Sequence, residues 1–261
     1  MLFNSFEFVF CFMPIVLAGF LLLGKMGLGL WACGWLALAS IFFYGFWAPE
    51  YLILLLTSIA INYSFGAAIQ KSLAKNLPAQ GKMWLGIAIA SNLSALAYFK
   101  YINFLFDNLN FALDTPLTFA KVILPIGISF FTFTQIAYLV DTYNSKVRER
   151  NPIHYLLFVT YFPHLIAGPI LHHAEMMPQF RERKTFTFSH ANLLSGLLVF
   201  LIGLFKKVIL ADGIQPYVGP VFDAPLGQTL TFVEAWGGAL AYTLQLYFDF
   251  SGYSDMAIGL A

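Results

Sequence analysis

Of 261 residues, 59% are hydrophobic, 18% aromatic and 10% charged, where a soluble domain carries about 25% charged residues. So few charges cannot cover a globular surface, which excludes a soluble enzyme and makes lipid much of the chain's solvent. The net charge of +1 argues against a nucleic-acid partner, which would need a basic face.

A spanning helix takes about 20 apolar residues. Stretches of that kind fall at 6–23, 29–46, 50–69, 83–102, 120–140, 191–210 and 231–248. The first reads as a span and not as a cleaved leader, because Glu7 precedes it and the first basic residue, Lys25, follows it. Cys11 and Cys33 sit inside apolar runs without metal-ligand spacing and read as small apolar residues. Breaks fall at Gly24–Gly27, at Trp47–Glu50 and in the polar stretch 70–82. Residues 103–119 interleave Phe and Leu with Asp107, Asn108, Asn110 and Asp114 and read as an outer interfacial segment. Pro125 and Gly127 are placed to open the 120–140 helix, whose polar side carries Gln135. The weaker stretch 154–171 is interrupted by Pro163, Gly168 and Pro169 and reads as re-entrant. Such backbone is tolerated only where protein or a water-filled cavity surrounds it, which is a first hint of an internal cavity. Residues 172–190 read as cytoplasmic and partly helical, and 211–230, with Pro216, Pro220 and Pro225, as an outer loop. No repeat or linker divides the chain, so it reads as one membrane domain.

Lys and Arg mark cytoplasmic loops. Lys25, then Lys71, Lys75 and Lys82, then Lys146, Arg148 and Arg150 all fall inside if the N-terminus is outside. Arg181, Arg183 and Lys184 join them if 154–171 enters and leaves on one face.

Four constellations carry polar chemistry. His154, His164, His172 and His173 surround the broken segment. They can line a cavity or relay protons, with His164 the better candidate. The plainer reading makes His172 and His173 solvated loop residues, and no HExxH or Cys/His spacing suggests a metal. Gln135 and its neighbouring hydroxyls suit either a substrate channel or interhelical hydrogen bonds. Lys206 and Lys207 either snorkel to an interface or hold an anionic substrate, and Asp212 is near enough in sequence to pair with either. Last, Tyr247-Phe-Asp-Phe-Ser-Gly-Tyr-Ser-Asp255 sets two carboxylates, two serines and a glycine in an aromatic run. Charges are costly in lipid and face partners, water or substrate. Asp249 and Asp255 lie on different faces of a continuous helix, and Gly252 is placed to break it. Packing through Ser251, Gly252 and Ser254 is the plainer alternative.

These stretches resemble the membrane-bound O-acyltransferase (MBOAT) family, in its bacterial branch of alginate O-acetylation and teichoic-acid D-alanyl transfer. The resemblance rests on Met1–Pro14, Leu124–Asp141, Tyr161–Ile170, Gly203–Asp212 and Gln245–Gly259. It implies an all-α integral membrane bundle wrapped around an internal tunnel, in a multi-pass cell-membrane protein. It implies transfer of an acyl group, acetyl in the nearest case, from a cytoplasmic thioester to a hydroxyl of an extracytoplasmic polysaccharide or an accepting partner protein. The thioester, on coenzyme A or on a carrier, is a co-substrate, and no bound cofactor or metal is implied. Asp249, Ser251, Tyr253 and Asp255 match the family stretch and are expected to line the tunnel, with Gln135, His164, Lys206 and Lys207 as further candidates. The family's catalytic histidine is expected beyond Ala261, in an Arg-Trp-His context, so no catalytic residue is assigned. The chain then reads as the N-terminal part of a longer enzyme. A non-catalytic membrane component and, behind it, an ion-coupled transporter are the alternatives.

Overall fold

The computed structural model describes residues 2–113, 120–147, 151–165, 173–225 and 229–261. Every regular element among them is helical. The helices are α1 (Phe8–Lys25, opening in a π-helical turn Phe8–Phe12), α2 (Gly29–Trp47), α3 (Pro49–Ala74) and α4 (Pro78–Leu113). After them come α5 (Ile128–Tyr143), α6 (Pro152–Thr160) and the short α7 (Phe162–Leu165) and α8 (His173–Met176). The chain ends in α9 (His190–Phe222) and α10 (Phe232–Leu260). Among the described residues, α1 to α4 and α9 are the five helices long and apolar enough to cross a membrane. They coincide with five of the stretches expected from hydropathy. α10 is long enough, but it carries Glu234, Asp249 and Asp255.

Helix ends follow local chemistry. At the end of α1 the Leu28 N–H donates to Leu23 O, and Gly27 N–H donates to Gly24 O. Gly27 sits in the left-handed region at φ 75°. This is the Schellman closure, which satisfies carbonyls that a helix end leaves open. The ends of α3 and α5 repeat it through Asn76 and Ser145, at φ 54° and 58°. Lys25, Lys71 and Lys146 lie at these three C-terminal ends, where the helix dipole favours cations. α10 starts with a capping box, Thr231 and Glu234 each bonding the other's backbone N–H.

Three sequence expectations are corrected. The 120–140 stretch is not helical throughout: α5 starts at Ile128, after a turn in which Ile128 N–H donates to Pro125 O at 3.3 Å. Gly127, at φ 73°, takes the position where a type II turn needs a positive φ. Pro125 and Gly127 therefore begin the helix; they do not open it midway. The segment before it keeps its backbone satisfied through side chains. Asn103 accepts from Val122 N–H (3.0 Å) and donates to Val122 O (2.6 Å), while Tyr51 and Tyr44 donate to Ile123 O and Ile126 O. Residues 103–113 of the expected interfacial segment continue α4, because nothing in Asn103–Leu113 removes a backbone donor. Residues 211–222, expected as loop, continue α9 with Pro216 and Pro220 inside. The last correction is that α10 runs unbroken past Gly252 to Leu260.

The described residues form two compact units, one from 2–18 and 188–261, the other from 19–165 and 173–187. The second unit has a core of Tyr44, Leu55, Ile69, Tyr138, Leu139, Tyr155 and Phe158, all at most 2% exposed. The first unit is dominated by the antiparallel pair α9 and α10.

Candidate functional site

The α9–α10 pair is built on glycines. A Cβ on Gly203 would lie 2.5 Å from Gly252 O, and one on Gly196 would lie 2.6 Å from Gly259 O. Only hydrogen fits at either crossing. The two contacts are seven residues apart on each helix, two turns, so they fall on one face. Small residues bring membrane helices into backbone contact in this way. Gly252 thus packs a continuous helix where a break was expected.

Beside this seam, α9 widens into a π-helical turn, Lys206–Ala211, whose carbonyls bond five residues on, as Lys207 O does with Asp212 N–H. Lys206 Nζ pairs with Asp255 Oδ2 at 2.6 Å. Lys207 Nζ bridges Asp212 Oδ1 and Asp249 Oδ1, each at 2.8 Å. Both lysines are about a quarter exposed and Asp249 about half. Long apolar stems let the ammonium groups reach these partners from a greasy helix. Tyr253 stacks on Phe3 with ring centroids 4.7 Å apart. Ser251 Oγ is buried and has no hydrogen-bond partner among the described residues.

The structure therefore brings six of the eight candidates, Lys206, Lys207, Asp249, Ser251, Tyr253 and Asp255, onto one helix pair. Gln135 and His164 belong to the other unit. There Gln135 is fully buried, donating to Ser58 Oγ (3.0 Å) and accepting from Tyr155 OH (3.3 Å). Asn62 joins the same run beside Ser58 and faces Asn92. This polar ladder joins α3, α4, α5 and α6 and matches the interhelical-bond reading of Gln135. Ser58, Asn62, Asn92 and Tyr155 escaped the sequence reading, although two asparagines inside apolar runs were a usable signal.

His164 is buried, with Nε2 3.2 Å from Phe158 O. His154 packs on Phe180. The solvated-loop reading fails for His173. It is 3% exposed, its Nδ1 lies 3.5 Å from Asp141 Oδ2, and its ring meets Tyr138 and Phe158 edge-on. Cover by those rings outweighs its loop position. His172 and the 166–171 part of the expected re-entrant segment lie outside the described residues. The preceding part is two short helices separated at Tyr161. Two open grooves run along α3. One, of 310 Å3, is lined by Tyr63, Gln70, Lys71 and Tyr138; the other, of 450 Å3, by Ile61, Ser64, Phe65 and Trp84. Among the described residues, no group of three or more His, Cys, Asp or Glu is placed to hold a metal ion.

The fold is an all-helical membrane bundle with a charged, glycine-packed helix pair. The model of the membrane-bound O-acyltransferase family matches residues 83–261. Over its whole length the chain is 41% identical to a peptidoglycan O-acetyltransferase of Helicobacter pylori, covering 53% of that protein. It is 39% identical over its whole length to a probable alginate O-acetylase, AlgI, of Pseudomonas aeruginosa, covering 49% of it. A teichoic acid D-alanyltransferase of Bacillus subtilis is 30% identical over 52% of the chain. The chain belongs to the membrane-bound O-acyltransferase family. It spans about half the length of the curated O-acetylating relatives it matches.

Proposed function

We propose that a protein of the relatives' length containing this chain is a membrane O-acyltransferase. It moves an acyl group, acetyl in the simplest case, from a thioester on the cytoplasmic side to a hydroxyl of an extracytoplasmic polysaccharide or of an accepting partner protein. The N-terminus then lies outside. The observation that carries this reading is the match across the whole chain to proteins named for O-acetylation. In such a transfer the acceptor oxygen attacks the thioester carbonyl, a base takes the hydroxyl proton, and the C–S bond breaks to release the thiol. None of the five histidines is assigned as that base. Asp249, Ser251, Tyr253 and Asp255 are proposed as lining of the path along which donor and acceptor meet.

The unbroken run of α10 past Gly252 favours this over an ion-coupled transporter, whose sites are typically formed by discontinuous helices.

The test is to delete the gene and measure ester-linked acetate released by mild alkali from purified envelope polysaccharide, with peptidoglycan and soluble polysaccharide kept separate. Loss from one fraction, restored by the gene, supports the reading and names the acceptor. Unchanged ester acetate in both fractions rejects it.

A further inference from the structure

The π-helical turn at Lys206–Ala211 and the three aspartates around it are too ordered to be chance snorkelling. On an α-helix, residues 207 and 212 would point about 140° apart. The five-residue hydrogen bond stacks them, and Lys207 Nζ then reaches Asp212 Oδ1 at 2.8 Å. On α10, Asp249 and Asp255 are separated by about 9 Å of rise and about 120° of rotation. Two adjacent lysines of an opposing helix nevertheless take one each. Between them Gly203 and Gly252 touch, and a Cβ on Gly203 would also lie 2.9 Å from Asp255 Cβ, so the glycines bring the two helices close enough for the lysines to reach the aspartates.

We propose that Lys206 and Lys207 are positioning residues. The π turn aims them as two prongs that, with the glycine seam, fix the register and rotation of α10 against α9, each lysine taking one aspartate of α10. They are not the receptor for an anionic substrate, because three carboxylates already surround two ammonium groups. The register they fix sets where Ser251 and Tyr253, carried between the two aspartates, face. The inference concerns helix pairing and stands whether or not acyl transfer is the activity.

The test is a set of charge exchanges in the full reading frame, read by yield of detergent-extracted, monodisperse protein and separately by ester acetate on the polysaccharide. Lys206→Asp and Asp255→Lys alone should each lower the monodisperse yield by about fivefold, and the two together should recover most of it. Lys207→Asp should be recovered by Asp249→Lys, and in part by Asp212→Lys, a pair that couples only across a π turn. The crossed pair, Lys206→Asp with Asp249→Lys, should not recover. Lys206→Arg should keep the yield near wild type. Equal recovery by crossed and matched pairs, or wild-type yield in every single exchange, overturns the proposal. Matched pairs that recover the protein without ester acetate in any variant, wild type included, reject the acyltransferase reading and leave this one standing.

Discussion

Asn62 of α3 and Asn92 of α4 exchange their amides: Asn62 donates to Asn92 at 3.1 Å and Asn92 donates back at 2.6 Å. Both are nearly fully buried, and each also caps a carbonyl of its own helix, Ser58 O and Ala88 O. Removing one partner strands a buried amide, whereas removing both does not. Asn62→Leu or Asn92→Leu should each destabilise the protein by about 1–2 kcal/mol, and the double variant should cost less than the two singles added. Thermal unfolding in detergent, arranged as a double-mutant cycle, checks this. Strict additivity would mean that the pair does not interact.

The glycine seam makes a sharper contrast. Gly203→Ala and Gly252→Ala place a methyl against backbone at 2.5 and 2.8 Å. Backbone cannot rotate aside, so each should cost about 1–3 kcal/mol. Gly34, Gly213 and Gly237 have nothing within 4 Å of the same position, and Ala there should be neutral or stabilising by up to about 1 kcal/mol through helix propensity. Melting temperatures of the five variants should separate into these two groups.

Much of this architecture is legible in the residues. Runs of apolar residues interrupted at Gly27, Ala48-Pro49 and Asn76 marked the ends of α1 to α3, because end chemistry is local. The resemblance carried by Tyr247–Asp255 pointed to the right family. The misplaced helix breaks share one cause: proline and glycine were taken as breaks, and their effect depends on what packs around them. Gly252 preserves α10 because α9 lies against it, and Pro125 with Gly127 starts a helix because Tyr44, Tyr51 and Asn103 hold the preceding backbone. The Lys207–Asp212 pair is local and was within reach. The pairs Lys206–Asp255 and Lys207–Asp249 depend on how α9 and α10 meet, which no spacing encodes. The burial of His173 beneath Tyr138 and Phe158 is likewise tertiary.

Asn103 acts as a backbone partner for the irregular segment before α5, making both bonds that a β-partner would make to Val122. Asn103→Leu keeps the branched side-chain shape and removes both. The Val122 amide should then exchange with deuterium markedly faster, while amides in the middle of α4 keep their protection. Unchanged exchange at Val122 would show that the tyrosine contacts hold the segment alone.

The histidines differ in exposure in a way chemistry can read. His154, His164 and His173 are each at most 7% exposed, while His190 lies exposed at the start of α9 with its ring against Phe188. Diethyl pyrocarbonate attacks a neutral imidazole that it can reach. On folded protein in detergent micelles at neutral pH, His190 should be modified before His154, His164 and His173, which should react only as the protein unfolds. Peptide mass spectrometry over a time course gives the order. Early modification of His173 would mean that its cover of Tyr138 and Phe158 opens readily, and the Asp141–His173 contact would then be too transient to hold α8 against α5.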